Sequence, residues 1–421
     1  MSVTKIMQIP SICRYFFARG ICRSAKGRSE NTPQGRGLYY FTDGKRSKDK
    51  MKQEKFNDDF IESICRKFGV EGEYKYFETL VNGHINSSFK VYFFRNGEIK
   101  DYCLQRVNSY VFKNPVEVMD NISTVTEYIR EKIKSTGITA KRLVLHFQTA
   151  EDGKYYLLGP NGGFWRCSRF IDDSTTYNET DDLGIIEECG KAFGDFQLKL
   201  ADFPVKQLYI TIPHFHNTVM RFEAFDNAVK ENAAGRADEV KADIGEYKAL
   251  EETATEMYKM QRRGELPLKV THNDTKCNNV LFDKCSGQYL CVIDLDTVMP
   301  GLVGFDFGDA IRFIANSAKE DEKDISKVSL DLDKFEAFAK GFIGKVGAEL
   351  TENEKNTLAL GAITMTIECG VRFLTDYLNG DVYFKTEYDE HNLDRARCQL
   401  ALAKDMIKKQ SEMKNIVAKY L

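Results

Sequence analysis

The stretch that most constrains this chain runs from Thr271 to Asp296, T-H-N-D-T-K-C-N-N-V-L-F-D-K-C-S-G-Q-Y-L-C-V-I-D-L-D. Val280 to Phe282 and Tyr289 to Ile293 are short apolar runs, separated by a polar turn that contains Gly287. That pattern predicts a β-hairpin. A hairpin brings its ends together, so Asp274 and Asn279 before it should meet Asp294 and Asp296 after it. Asp274, Asn279 and Asp294 all offer oxygen, the donor that a hard cation such as magnesium prefers.

The spacing adds to this. His272, Asp274, Lys276, Asn279 and then Asp294 follow the order H-R-D-x-K-x-x-N, strand, Asp found in protein kinases, with Asn273 in place of the Arg. In that chemistry Asp274 would accept the proton of an attacking hydroxyl and Lys276 would neutralise charge on the moving phosphoryl group. Asn279 and Asp294 would hold magnesium against the nucleotide phosphates. A polar loop with a capping Asp is the bland alternative, and five matched positions beside a hairpin weigh against it.

The stretch resembles the aminoglycoside phosphotransferase and choline kinase superfamily, whose loop reads H-G-D-x-x-x-x-N. T-H-N-D-T-K-x-N-N-V-L-F-D together with V-I-D-L-D-T-V-M-P-G resembles, more closely, the N-acetylhexosamine 1-kinases. The likeness covers about residues 55 to 415. It implies an α+β, protein-kinase-like two-lobed fold, with a small antiparallel sheet lobe of five strands and a larger helical lobe. The domains would be residues 53–172, the nucleotide-binding lobe, and 173–421, carrying the catalytic loop and the acceptor site. ATP and Mg2+ would be the cofactors. The acceptor would be GlcNAc or GalNAc at its anomeric hydroxyl.

The chain has 421 residues, enough for two lobes. Its net charge of −3 is uneven: residues 1–50 carry +8, which leaves −11 for the rest. A body of that sign lacks the basic footprint of a nucleic-acid binder. Eleven Cys without a C-x-x-C pair read as reduced thiols of a cytoplasmic protein. Cys277, inside the loop, reads as a spacer. No apolar run reaches the roughly 18 residues of a membrane helix. The basic segment 1–52 reads as a disordered tail or a non-native leader ahead of Met51, with an organellar transit peptide as the third option.

Periodicity predicts a helix over 55–68 and strands over Tyr76–Leu80, Phe89–Arg95 and Asp101–Val107, with Asn96-Gly97 as a hairpin turn. Strands are also predicted over Arg142–Gln148, Lys154–Leu158 and Gly163–Phe170. Asn114-Pro115-Val116-Glu117 opens a further helix, with Asn114 as N-cap and Glu117 in its capping box. Later helices are predicted over 183–200, 217–233, 237–262, 333–347, 352–378 and 392–417, with Thr351 and Glu354 forming a capping box.

The resemblance assigns nucleotide phosphates to the turn holding Gly83, His84 and Asn86, and gives Arg106 the place of the phosphate-pairing Lys. A plain hairpin turn and a surface Arg are the alternatives. Glu117 and Asp120 are the candidate acids to pair with Arg106. Asp306 and Asp309 would brace the catalytic loop. Arg372, in R-F-L-T-D-Y-L, would face the acceptor, its alternative being an ion pair on a helix surface. His214 and His216 lack an evident third metal ligand. A kinase for an aminoglycoside, choline or methylthioribose is the rival function. A nucleotide-binding protein without catalysis is a second rival, but it predicts loss of Asp274 or Asp294, and both are present.

Overall fold

The computed structural model describes residues 56–80, 86–109 and 111–421. Gly83 and His84 lie outside these, as does the segment 1–52. The first helix, α1 (Asp58–Lys67), starts where Asn57 caps Phe60 N at 3.0 Å. Acids fill its first turn and Arg66 and Lys67 its last, both favourable to the helix dipole. Strands β1 (Glu73–Leu80), β2 (Ser87–Arg95), β3 (Glu98–Val107), β4 (Leu157–Leu158) and β5 (Phe164–Arg169) form an antiparallel sheet ordered β1-β2-β3-β5-β4. Asn96 (φ 55°) and Gly97 (φ 85°) both adopt the left-handed conformation that a two-residue hairpin loop requires.

Alternation divides this sheet into two faces. Phe89, Val91, Tyr102, Leu104, Trp165 and Cys167 pack with Ile61, Ile64 and Phe68 of α1 in one core. Phe164 and Val107 point the other way, into the main core with α2 (Pro115–Ser135). Asn114 does not cap α2 with its side chain; the proline at the first turn starts that helix instead. The expected strand at Arg142–Gln148 is absent, and Lys154–Leu158 shortens to β4. Both segments lie on one edge of β5. Leu157 and Leu158 pair with its start, while Gln148 N and His146 O bond to Cys167 and Arg169 near its end. Half an edge each is too little for two full strands.

Past β6 (Ser174–Thr175) the chain is mostly helical: α3 (Leu183–Lys199), α4 (Thr218–Glu231), α5 (Lys241–Ala249) and α6 (Glu251–Arg262). The helix expected over 237–262 breaks at Leu250, whose N–H bonds three residues back to Tyr247 rather than four. Then come β7 (Lys269–Thr271), β8 (Val280–Asp283), β9 (Tyr289–Val292) and β10 (Met299–Gly301). They are followed by α7 (Val303–Ile314), α8 (Leu332–Val346), α9 (Glu352–Leu378), α10 (His391–Lys408) and α11 (Gln410–Tyr420). The segment expected over 392–417 is thus two helices. The capping box of Thr351 and Glu354 is present.

Helix α9 meets the length and composition of a membrane span, which the sequence reading did not anticipate. Yet 89% of its apolar window is buried inside the fold, so it is a core helix. Helix α7 crosses it where glycines allow backbone contact. A Cβ on Gly361 would lie 2.1 Å from Gly304 O, and one on Gly308 would lie 2.3 Å from Gly361 O. Gly361→Ala is therefore expected to cost about 1–3 kcal/mol by overpacking. Urea unfolding would read this as a lower midpoint at unchanged slope.

Candidate active site

The catalytic-type loop leaves β7, which pairs antiparallel with β10 through Thr271 and Met299. Thr271 Oγ1 bonds Met299 O and Asn273 Oδ1, both at 3.0 Å. The loop's backbone is then pinned by Asp306 on the first turn of α7. His272 N and Asn273 N donate to its two carboxylate oxygens at 2.8 and 2.7 Å, and Gln197 Nε2 adds a third bond at 2.7 Å. Thr275 Oγ1 donates to Asp306 O at 2.6 Å. Asp306 is a brace of the kind the resemblance implied for Asp306 and Asp309, whereas Asp309 bonds within α7. Asp309 holds Arg312 at 2.9 Å, and Arg312 also pairs with Glu320 at 2.8 Å.

Asn273 stands at φ 63°, a conformation that Asn tolerates better than most residues. Its Nδ2 donates to Thr297 O at 2.9 Å. Buried His272 bridges the two halves of the site. Its Nε2 lies 2.9 Å from Ile293 O, and its Nδ1 accepts from Asp274 N at 3.3 Å. Those two contacts select the tautomer with hydrogen on Nε2.

The expected convergence is present. Asp274 carries Lys276 Nζ at 2.8 Å on one oxygen and Asn279 Nδ2 at 3.1 Å on the other. Lys276 Nζ also sits 5.3 Å from the centre of the Phe313 ring. Strands β8 and β9 pair as the predicted hairpin, and Ile293 N donates to Asn279 O at 2.8 Å, which closes its open end. Asp294 follows at once, at φ 60°, ψ 55°.

Asp294 keeps an exposed face to the cleft while protein crowds its other sides. Burial on those sides, then the charges of Asp296 and Asp274, push its carboxyl up to about 7 against the pull of Arg166 and Lys276. Its ordinary value is 3.8. The folded state therefore holds this proton more tightly than the unfolded one, and the associated stability is lost as pH rises from about 4 through 7. Without added cation, Asp294→Asn is expected to melt higher than the parent at pH ~8, with the gap closing towards pH ~5. Thermal melts of both proteins at the two pH values check this.

Other assignments move. Arg106 shares its face with Trp165, and its guanidinium lies 5.8 Å from the Phe56 ring, on the α1 side of the sheet. Gln105 and Arg166 hold the cleft face instead. Arg166 forms a buried pair with Asp296, and its Nη2 reaches Asp296 Oδ2 at 3.2 Å. Asn86 does not present a free amide to a phosphate: Nδ2 donates to Asp296 Oδ2 at 2.7 Å and Oδ1 accepts from Asn108 N at 3.0 Å. Arg166 was missed because the pairing of β5 with β3 was unknown. The alternation in F-W-R-C-S-R carried the signal, since placing Trp165 and Cys167 inside turns Arg166 outward.

Arg372, on α9, is not in a surface ion pair. Its Nη2 lies 3.5 Å from Tyr383 OH and its guanidinium 5.5 Å from the Phe384 ring. Glu368, one turn earlier, pairs with His216 Nδ1 at 3.0 Å, and the charges of His216, Arg221 and Arg372 draw its carboxyl below the usual range despite burial. His216 thus serves a carboxylate, and among the described residues no group of three or more His, Cys, Asp or Glu forms a metal cage. The donors that fit a cation here are Asp294 and Asn279, whose Nδ2 is turned to Asp274. One or two protein oxygens suit magnesium, which keeps waters and binds substrate phosphates.

This two-lobed arrangement around an Asp–Lys–Asn–Asp cluster is that of a phosphotransferase. Residues 84–326 match the model of the phosphotransferase enzyme family APH, and the chain belongs to that family. Solved structures agree at the level of fold. A microcompartment-associated aminopropanol kinase is 12% identical with a TM-score of 0.52, covering 85% of this chain and 99% of its own. An aminoglycoside phosphotransferase from Alicyclobacillus acidocaldarius is 12% identical at TM-score 0.52, covering 85% and 96%. A choline kinase from Cryptosporidium parvum is 15% identical at TM-score 0.51, covering 87% and 98%.

Proposed function

We propose that this phosphotransferase moves the γ-phosphoryl group of ATP, with Mg2+, to the anomeric hydroxyl of an N-acetylhexosamine. The observation that carries the chemistry is the convergence of Asp274, Lys276, Asn279 and Asp294 on one end of the hairpin. Asp274 orients the acceptor hydroxyl and takes its proton. Lys276, 2.8 Å away, supplies positive charge where the transferring group passes. Asp294 and Asn279 would hold magnesium, which when bound offsets charge on the nucleotide phosphates. With little covalent work in a loose transition state, positioning by Asp306 and His272 is the protein's main contribution.

The acceptor class rests on resemblance and on charge. Around Arg372 stand Arg221 and His216, with the carboxylate of Glu368 between them. That balance disfavours a cationic acceptor such as choline or an aminoglycoside and suits neutral hydroxyls and an amide. The nine described cysteines are unpaired, consistent with a cytoplasmic setting.

An ADP-release assay over GlcNAc, GalNAc, glucose, galactose, choline and kanamycin tests the acceptor. Turnover on the N-acetylated sugars is the expected result. Turnover on choline or kanamycin alone would reassign the acceptor to a cationic alcohol.

A further inference from the structure

The sheet turns a continuous polar row toward the catalytic loop. Ser88, Gln105 and Arg166 are cross-strand neighbours on β2, β3 and β5. Gln105 Nε2 donates to Ser88 Oγ at 3.0 Å, and Arg166 Nε donates to Gln105 Oε1 at 2.9 Å. Arg166 directs both terminal nitrogens at Asp296, with Nη1 on Oδ1 and Nη2 on Oδ2. Asn86 adds its own bond to Oδ2. The Arg166 and Asp296 side chains are each 4% exposed.

Two residues upstream, Asp294 sits in the left-handed region. Asp enters that region more readily than most L residues but still at a cost, so bonds around it matter in keeping it there. Two sets are present. From the helical lobe, Thr297 Oγ1 donates to His272 O at 2.6 Å and Asn273 Nδ2 donates to Thr297 O at 2.9 Å. From the sheet, the Arg166–Asp296 pair and Asn86 hold the same turn.

We propose that Arg166 and Asp296 are positioning residues, a strut from the sheet that fixes Asp294 in its cation-holding conformation. This rests on the role proposed above for Asp294. Asp296 itself is the foot of the strut, with three donors on its two oxygens. A guanidinium is needed, since its planar fork grips both carboxylate oxygens while the third nitrogen reaches Gln105. The strut also replaces the expected pairing of a strand cation with an acid on α2: here the cation comes from β5 and its acid from the metal loop. Seating the sheet on the loop and shaping the cation site are then one event.

Removing either partner alone strands a buried charge, so the decisive variant is the double Arg166→Met/Asp296→Asn in the full chain, its folding checked by circular dichroism and a urea midpoint. Mn2+ binding with ADP present is measured by electron paramagnetic resonance. Loss of a residue that orients a ligand typically weakens metal binding 10–100-fold, so a rise in the Mn2+ dissociation constant of about tenfold or more is expected. The Mn2+ midpoint of turnover should move with it while the acceptor KM stays put, and Arg166→Lys should recover only part of the loss. A folded double variant that binds Mn2+ as the parent does would overturn the strut. Asp294→Asn separates the two ideas. If it abolishes Mn2+ binding while the double variant is unaffected, only the strut falls; if it too binds normally, the metal site falls first.

Discussion

Asp274→Asn is expected to lower kcat by about 10² to 10⁴, the usual contribution of a positioned general base. Asp274 is buried, carries Lys276 on one oxygen and Asn279 on the other, and its backbone N–H is held by His272. Asn has the same shape and keeps an oxygen for one of these neighbours, so the loop should hold its course. What disappears is the proton acceptor of the proposed mechanism. Nucleotide affinity should therefore survive while turnover collapses, a kcat effect with little change in KM. Steady-state assays with titration of the nucleotide separate the two. A variant retaining more than roughly a tenth of parent turnover would remove Asp274 from the base role.

The second large effect falls on a residue that touches no reacting atom. Asp306 accepts from two successive loop amides and from Gln197, at 1% exposure. Burial raises its carboxyl pKa overall, although these same bonds oppose the rise. Asp306→Ala leaves three buried donors without an acceptor. At about 1–3 kcal/mol per unsatisfied group, with some relief from entering water, a loss of about 3–5 kcal/mol is expected. Activity should fall as well, since His272 and Asn273 set the direction of Asp274. Urea unfolding and turnover on the folded fraction measure both effects. A loss below about 1 kcal/mol would mean that the loop holds itself in place without this brace.

The catalytic-type loop was legible because its signals are local. Oxygen donors at fixed spacing beside an apolar hairpin leave few arrangements, and Gly287 at φ 71° confirms the turn. Asp306 came from the family resemblance and not from any local pattern, since nothing in G-F-D-F-G-D marks it as a brace. What failed depended on pairing across long separations. Arg106 and Arg166 sit on neighbouring strands and look alike in sequence; which one faces the cleft is decided by the face that α1 covers. Asn86 reaches a carboxylate 210 residues away, a distance no periodicity reports. The break at Leu250 has neither Gly nor Pro to mark it. Arg372 was open between a surface ion pair and another setting, and its contacts with Tyr383 and Phe384, from the segment after α9, were out of reach of periodicity.

That same helix α9 carries a consequence for how the protein is made. Its apolar window has the length and composition of a membrane span even though Glu368 and Arg372 lie within it, and its neighbours make it an interior element. Helices α4, α6 and α7 precede it along the chain, whereas α10 and α11, which cover other sides, follow. During synthesis the earlier helices can offer a docking surface as α9 emerges, but the remaining cover arrives later. The order of elements along the chain thus lets α9 cover part of its apolar surface as it is made, before its last two neighbours exist.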